Sequence, residues 1–191
     1  MRVIAGTAKG KALASVPGDS TRPVTDRVKS ALFSILTSQG LVEGRRYLDL
    51  FGGTGAVGIE ALSRGAAQAI FCERDRAALA TLRRNLESTG LAARAVVISG
   101  DAFRYLEQPA PGAFDVIYIA PPQYRGLWLR ALQAVAAHLP GLLADGGQVI
   151  VQVFPKEWAE PSLTNLELLD RRQYGSTALF FFGEKAAHGG S

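Results

Sequence analysis

The sequence predicts an α/β fold: a seven-stranded, mostly parallel sheet with helices on both faces, a C-terminal antiparallel hairpin and a short N-terminal β/α extension. Three observations carry this. From Tyr47 onward, short apolar runs rich in Val, Ile and aromatic residues alternate with longer segments of helical period. The first of these runs are almost wholly apolar, as strands covered on both faces must be. The last two, 164–172 and 177–183, are joined only by Gln173-Tyr174-Gly175-Ser176, too short for a crossover helix and right for a hairpin.

Scattered Gly, Pro and β-branched residues in 1–24 suggest short strands and turns. Thr25 stands where a helix cap is needed, and Val28, Ala31, Leu32, Ile35 and Leu36 then follow helical spacing, predicting a helix over 26–37. Arg27 and Lys29 lie off that stripe and are read as facing solvent or a ligand. Strands are predicted at 47–51, 68–73, 95–99, 115–120 and 147–154 before the hairpin pair. Helices are predicted at 56–64, 75–88, 102–107 and 127–139, with a short turn near 156–159. The buried-strand reading also accounts for three consecutive aromatics, Phe180-Phe181-Phe182. The domains implied are a basic extension (1–46), a main α/β domain (47–185) and a frayed tail (186–191).

Composition narrows the function classes. The chain has 191 residues, 48% hydrophobic and 20% charged, which suits a single globular domain with a full core. Its net charge of +4 is uneven. Residues 1–46 hold eight Lys/Arg against three acids, so the rest of the chain carries about −1. A basic arm on a near-neutral body suits a polyanion partner, although a solvated basic face has the same composition. One cysteine, Cys72, within an apolar run, rules out an internal disulfide and reads as an inert core thiol. Two histidines argue against a histidine-rich metal site. No apolar run approaches the ~20 residues of a membrane span, and no signal core is visible, so a cytoplasmic protein is expected.

Chemistry concentrates at strand ends. Asp49-Leu50-Phe51-Gly52-Gly53-Thr54-Gly55 follows the first strand, and Gly53 to Gly58 satisfy G-x-G-x-x-G. Glycines let backbone approach a nucleoside cofactor, and Glu73, 20 positions after Gly53 at the second strand end, can accept from ribose hydroxyls. Dinucleotides share that pattern. Asp49 tips the balance, because a carboxylate beside a pyrophosphate is unfavourable, whereas in the Asp-x-Phe-x-Gly-x-Gly run of methyltransferases it accepts hydrogen bonds from the methionine part. Asp101, after the third strand, can accept from an adenine amine or cap the helix at 102–107. Phe51, Gly52, Arg74 and Ala102 flank these positions and complete the candidate cofactor set.

The fourth strand runs into Ala120-Pro121-Pro122-Gln123-Tyr124. Two prolines end strand pairing and stiffen the turn where cofactor and substrate meet. The segment resembles the Asn/Asp-Pro-Pro-aromatic signature, whose oxygens accept from an exocyclic amine while the ring stacks on the base. Here Ala120 supplies only its carbonyl, and Tyr124 stands one place late. A rigid turn with no substrate role is the alternative.

Taken with the run Arg2-Val3-Ile4-Ala5-Gly6, Lys9-Gly10-Lys11 and Arg22-Pro23-Val24-Thr25-Asp26-Arg27, and with Glu60-Ala61-Leu62-Ser63-Arg64-Gly65, these segments make the whole chain similar to the RsmD-type methyltransferases. The resemblance implies a class I, Rossmann-like fold and S-adenosylmethionine as methyl donor. It implies transfer to the exocyclic N2 amine of a guanine in bacterial 16S rRNA, within a small-subunit particle or assembly intermediate, by a monomer that needs no metal or membrane. Asp49, Phe51, Gly52, Gly53, Gly55, Glu73, Arg74, Asp101 and Ala102 are then expected at the cofactor. Ala120, Pro121, Pro122 and Tyr124 are expected at the base, and Arg2, Lys9, Lys11, Arg22 and Arg27 on RNA; Arg22 and Arg27 can equally be structural. Family members usually carry Asp or Asn where Ala120 stands. The rival readings are an adenine-N6 nucleic-acid methyltransferase and a non-catalytic, cofactor-binding ribosome assembly factor.

Overall fold

The structure, a computed structural model, describes residues 1–16, 24–109, 113–123 and 125–186. Arg22 and Tyr124 of the candidate set therefore lie outside the described residues. Helix α1 (Asp26–Ser38) precedes β1 (Arg46–Asp49), α2 (Ala56–Ser63), β2 (Gln68–Glu73), α3 (Arg76–Thr89) and β3 (Ala95–Ser99). Then come α4 (Ala102–Glu107), β4 (Phe114–Ile119), α5 (Leu127–Ala137), a further turn α6 (Leu139–Leu142), β5 (Leu143–Val153), β6 (Leu166–Tyr174) and β7 (Thr177–Glu184). The strands form one sheet in the order β3-β2-β1-β4-β5-β7-β6. The first five run parallel, and β7 pairs antiparallel with both β5 and β6.

Strand alternation sorts the core into two layers. Tyr47, Phe71, Val116, Tyr118, Ile150 and Phe181 face α1, α2 and α3. Leu48, Ile70, Ile117, Val149, Phe180 and Phe182 face α4, α5 and α6. On the second face Trp158 stacks on Phe180 with centroids 3.4 Å apart and on Trp128 at 4.9 Å, fixing the segment after β5 against the sheet.

Element boundaries depart from the sequence reading where glycine is involved. Strand β5 starts at Leu143, four residues early, because Phe114 pairs with Leu143 before an irregularity lets Val116 pair with Gln148. Asp145-Gly146-Gly147 sits inside that irregular stretch: Gly146 has φ +71°, and a Cβ on Gly147 would come within 2.9 Å of the Asp115 carbonyl oxygen. Turn signals in the sequence thus mark a deformed strand. Strand β6 continues to Tyr174, which leaves Gly175-Ser176 as a two-residue link. Strand β3 is less buried than its apolar sequence implies, because it is a sheet edge; Val96 is 38% exposed.

Among the described residues the N-terminal segment folds back on itself around an isolated bridge, Arg2 with Ala12, and it docks on α2. Val3, Ala8 and Leu13 enter the first core layer. The Glu60 carboxylate accepts from the backbone N–H groups of Ile4 and Ala5 at 2.8 and 3.0 Å. Ser63 accepts from Ala8 N–H through its hydroxyl and from Thr7 N–H through its carbonyl. Gly6 approaches so closely that a Cβ would lie 1.8 Å from the Ser63 oxygen.

Lys29 corrects the sequence reading. It does not face solvent or a ligand: its side chain is fully buried, its Nζ donates to the Arg2 carbonyl at 2.5 Å and lies 3.4 Å from Glu60. Arg64 Nε bonds the other Glu60 oxygen at 2.7 Å. Burial holds the Lys29 pKa below its ordinary value, with the Glu60 charge opposing the shift. Two cations and two backbone donors thus converge on one buried carboxylate. Thr25 does cap α1, accepting from Val28 N–H at 3.3 Å.

Candidate active site

The parallel order changes direction between β1 and β4, and ligands bind outside the carboxyl ends of strands at such a point. A cleft of about 570 Å³ opens there. Asp49, Phe51, Gly52, Gly53, Glu73, Arg74, Asp101 and Ala102 line it, together with Ala120, Pro121 and Pro122. The structure therefore brings the two sequence motifs into one cavity.

Asp49 occupies the end of β1 and is 4% exposed. Its Oδ1 is buried with no hydrogen-bond partner among the described residues. Burial raises its pKa to about 7, and the Glu73 charge adds to this, while a hydrogen bond from the Phe51 backbone N–H opposes it. A buried acceptor without a donor is costly and is where a ligand ammonium fits. The sign of the pH effect follows. Free protein holds the proton below about pH 7, whereas a cationic ligand requires the carboxylate. Affinity for a ligand that sets a cationic group against this oxygen, with S-adenosylmethionine as the probe, is expected to fall by up to about tenfold per pH unit on acidification below that range. Calorimetric titrations between pH 5.5 and 8.5 check this; an affinity independent of pH would contradict it.

Glu73, at the end of β2, accepts from Gly53 N–H at 2.9 Å and from the Arg74 and Asp75 N–H groups at 2.8 Å. It shapes the glycine loop and lines the cleft. Gly53, with φ +53°, leaves its backbone uncovered: only the Phe51 carbonyl lies within 4 Å of where a Cβ would stand. Asp101 caps α4, its Oδ1 accepting from Phe103 and Arg104 N–H, and its Oδ2 lies 3.5 Å from Arg74. The capping alternative is thus realised, with the residue still at the cleft wall. Phe51 meets Phe103 edge-on at 6.5 Å, and Arg130 lies 4.0 Å over the Phe103 ring, forming an aromatic shelf the sequence reading missed.

Gly55 is not among the residues that line the cleft. It stands behind the loop, away from the cleft lining, with φ +80° at the start of α2, and a Cβ would come within 2.3 Å of Leu82. Its role is close packing of α2 on α3. Cys72 is buried, and burial pushes its thiol up to about 12, fitting an inert group.

At the Pro-Pro end of the cleft, Ala120 is partly buried against the first core layer, and Pro121 and Pro122 follow as an irregular turn. Tyr118 and Gln152, both at the cleft, were not singled out in the sequence. Of the basic residues, Arg2, Lys9, Lys11 and Arg27 are exposed. Arg2 lies 3.7 Å from Asp26, and the Lys11 ammonium bonds the Ser88 and Thr89 carbonyls at the end of α3. Among the described residues no group of acids, histidines and cysteine is arranged to hold a metal, and no helix is long and apolar enough to cross a membrane.

The profile of the family described as Conserved hypothetical protein 95 matches residues 1–183. The sequence is 37% identical to YlbH of Bacillus subtilis (strain 168) over 188 residues, 97% of this chain and 100% of that protein. It is 35% identical over 152 residues to Ribosomal RNA small subunit methyltransferase D of Escherichia coli (strain K12), covering 80% of this chain and 74% of the relative. The solved structure of yhhF from Escherichia coli matches with a TM-score of 0.82 at 31% identity, covering 98% of this chain and 99% of that one. The orphaned Asp49 oxygen, the glycine loop and the Pro-Pro turn stand in one cleft of this fold, and the chain belongs to the RsmD-type methyltransferase family.

Proposed function

We propose that this protein transfers a methyl group from S-adenosylmethionine to the exocyclic N2 amine of a guanine in small-subunit ribosomal RNA. One observation carries the reading: the cleft joins an unpartnered buried carboxylate oxygen to a proline-stiffened turn at the sheet's switch point. The name of the Escherichia coli relative supports ribosomal RNA as the substrate class.

The residues present fit the cofactor. Asp49 suits the methionine ammonium, the open Gly53 backbone suits close approach, Glu73 suits ribose hydroxyls, and the Asp101–Phe103 corner suits adenine. When bound, the cofactor supplies a methyl group activated on a sulfonium. The chain's part is orientation. The Ala120 and Pro121 carbonyls accept from the guanine amine and aim its lone pair, with Tyr124 assigned to stack on the ring. The amine loses its proton only as it gains carbon, so no strong general base is required. Reaching the pocket requires the base to leave its stack.

Binding to RNA rests on the exposed basic residues of the N-terminal segment. Replacing Lys9 and Arg27 together by Gln is expected to weaken binding and to reduce the salt slope by about 1.5, from roughly 0.7–0.9 per phosphate contact. Filter binding from 50 to 300 mM salt reads this, and an unchanged slope removes these residues from the interface. Transfer of labelled methyl to undermethylated small-subunit particles, compared with large-subunit particles and free protein, tests the substrate class; label confined to small-subunit RNA is expected.

A further inference from the structure

Beneath the Ala120–Gln123 turn lies a polar pair that neither sequence motif accounts for. Tyr118 on β4 and Gln152 on the neighbouring β5 both line the cleft. The Tyr118 hydroxyl donates to Gln152 Oε1 at 2.5 Å. Tyr118 is 3% exposed, and burial, reinforced by the nearby Asp49 charge, raises its pKa well above the ordinary value. The hydroxyl keeps its proton near neutrality, and in the structure it gives that proton to the amide oxygen. The amide nitrogen is left with two N–H donors, and no described residue accepts from it. Gln152 itself is only partly buried, on the side open to the cleft.

The side chains of Gln123, Trp128, Arg130 and Thr177 also bring donors to the cleft, but the residues flanking Gln152 on the turn and strand add few. Pro121 and Pro122 have no N–H, Ala120 no polar side chain, and Val153 beside Gln152 is apolar. A guanine whose N2 amine points at the methyl donor must also place its O6 carbonyl, and burying that oxygen unmet is costly. Adenine carries an amine in the corresponding place, which would meet the fixed amide donor against donor. A glutamine amide free to turn over could serve either purine; turning this one over would make the Tyr118 hydroxyl the acceptor and leave its own buried proton without a partner among the described residues, which disfavours the flip.

We propose that Gln152 is a specificity-determining residue whose Nε2 donates to O6 of the target guanine, with Tyr118 as the positioning residue that fixes the amide's orientation. This rests on the guanine-N2 reading above and adds the group that selects guanine over adenine.

The test compares guanine with 2-aminopurine at the mapped target position, introduced by RNA ligation into small-subunit particles. The analogue keeps the amine and lacks O6. Wild-type protein is expected to favour guanine in kcat/KM by roughly tenfold or more, the worth of one buried donor–acceptor pair. Gln152→Met should bring that ratio toward one by slowing guanine, with S-adenosylmethionine affinity unchanged. Tyr118→Phe should reduce the ratio in part. Gln152→Glu, which keeps the shape but cannot donate when ionised, carries the same test if the Met variant does not fold. A guanine preference as large in the Gln152 variants as in wild type overturns the assignment while leaving the guanine reading intact. A wild-type protein that methylates no guanine amine removes that reading and this inference with it.

Discussion

Glu60→Ala is expected to destabilise the fold by about 3–5 kcal/mol, the cost of leaving a buried charge without its partner. Lys29 would remain fully buried with no carboxylate beside it, Arg64 would lose its 2.7 Å partner, and the Ile4 and Ala5 N–H groups would lose their acceptor. The melting temperature should drop by roughly 10 °C, and the N-terminal segment should become protease-sensitive first. Lys29→Met measured beside it separates charge from packing. If the pair works mainly by charge balance, Lys29→Met in the Glu60→Ala background should recover part of the loss, because no buried cation is then left unmet. A Glu60→Ala protein that melts with the wild type would mean that this carboxylate does not hold the N-terminal segment to α2.

Asp49→Asn is expected to weaken S-adenosylmethionine binding by roughly 100-fold, since a hydrogen bond to a charged group is worth about 1.5–3 kcal/mol. It should do so without lowering the stability of the free protein. The wild-type carboxylate is desolvated and one oxygen has no partner, so neutralising it removes a cost. The variant should also lose the pH dependence of cofactor affinity. Loss of affinity together with a large fall in melting temperature would instead mark Asp49 as a structural residue.

The two predictions fall on parts of the molecule that were unequally legible. The sheet was readable because most of its parallel strands are buried on both faces, and the last two are joined by a link too short for anything but a hairpin; β3, at the edge, is apolar in sequence but less buried. That the glycine loop and the acids at successive strand ends meet in one cleft was readable because they are spaced along the chain as the fold spaces them there. Lys29 was misread for a physical reason. Its place off the apolar stripe of α1 is genuine, but Glu60, which neutralises it, comes 31 residues later on another helix. Pairing across that separation leaves no local pattern. Gly55 has a packing reason that the sequence hides, because a glycine required by Leu82 of α3 and one required by a ligand look alike in a loop. Strand alternation groups Gln148, Ile150 and Gln152 on one face, yet only the cleft distinguishes Gln152 from the others.

The measurement that bears most directly on the proposed activity is nucleoside mass spectrometry of small-subunit RNA from undermethylated particles, after incubation with the protein and isotopically labelled S-adenosylmethionine. The expected product is labelled N2-methylguanosine at a single position, absent with Asp49→Asn protein at the same cofactor concentration. Label on an adenine amine, or no label despite demonstrated cofactor binding to the wild-type protein, would contradict guanine-N2 methylation as the function of this cleft.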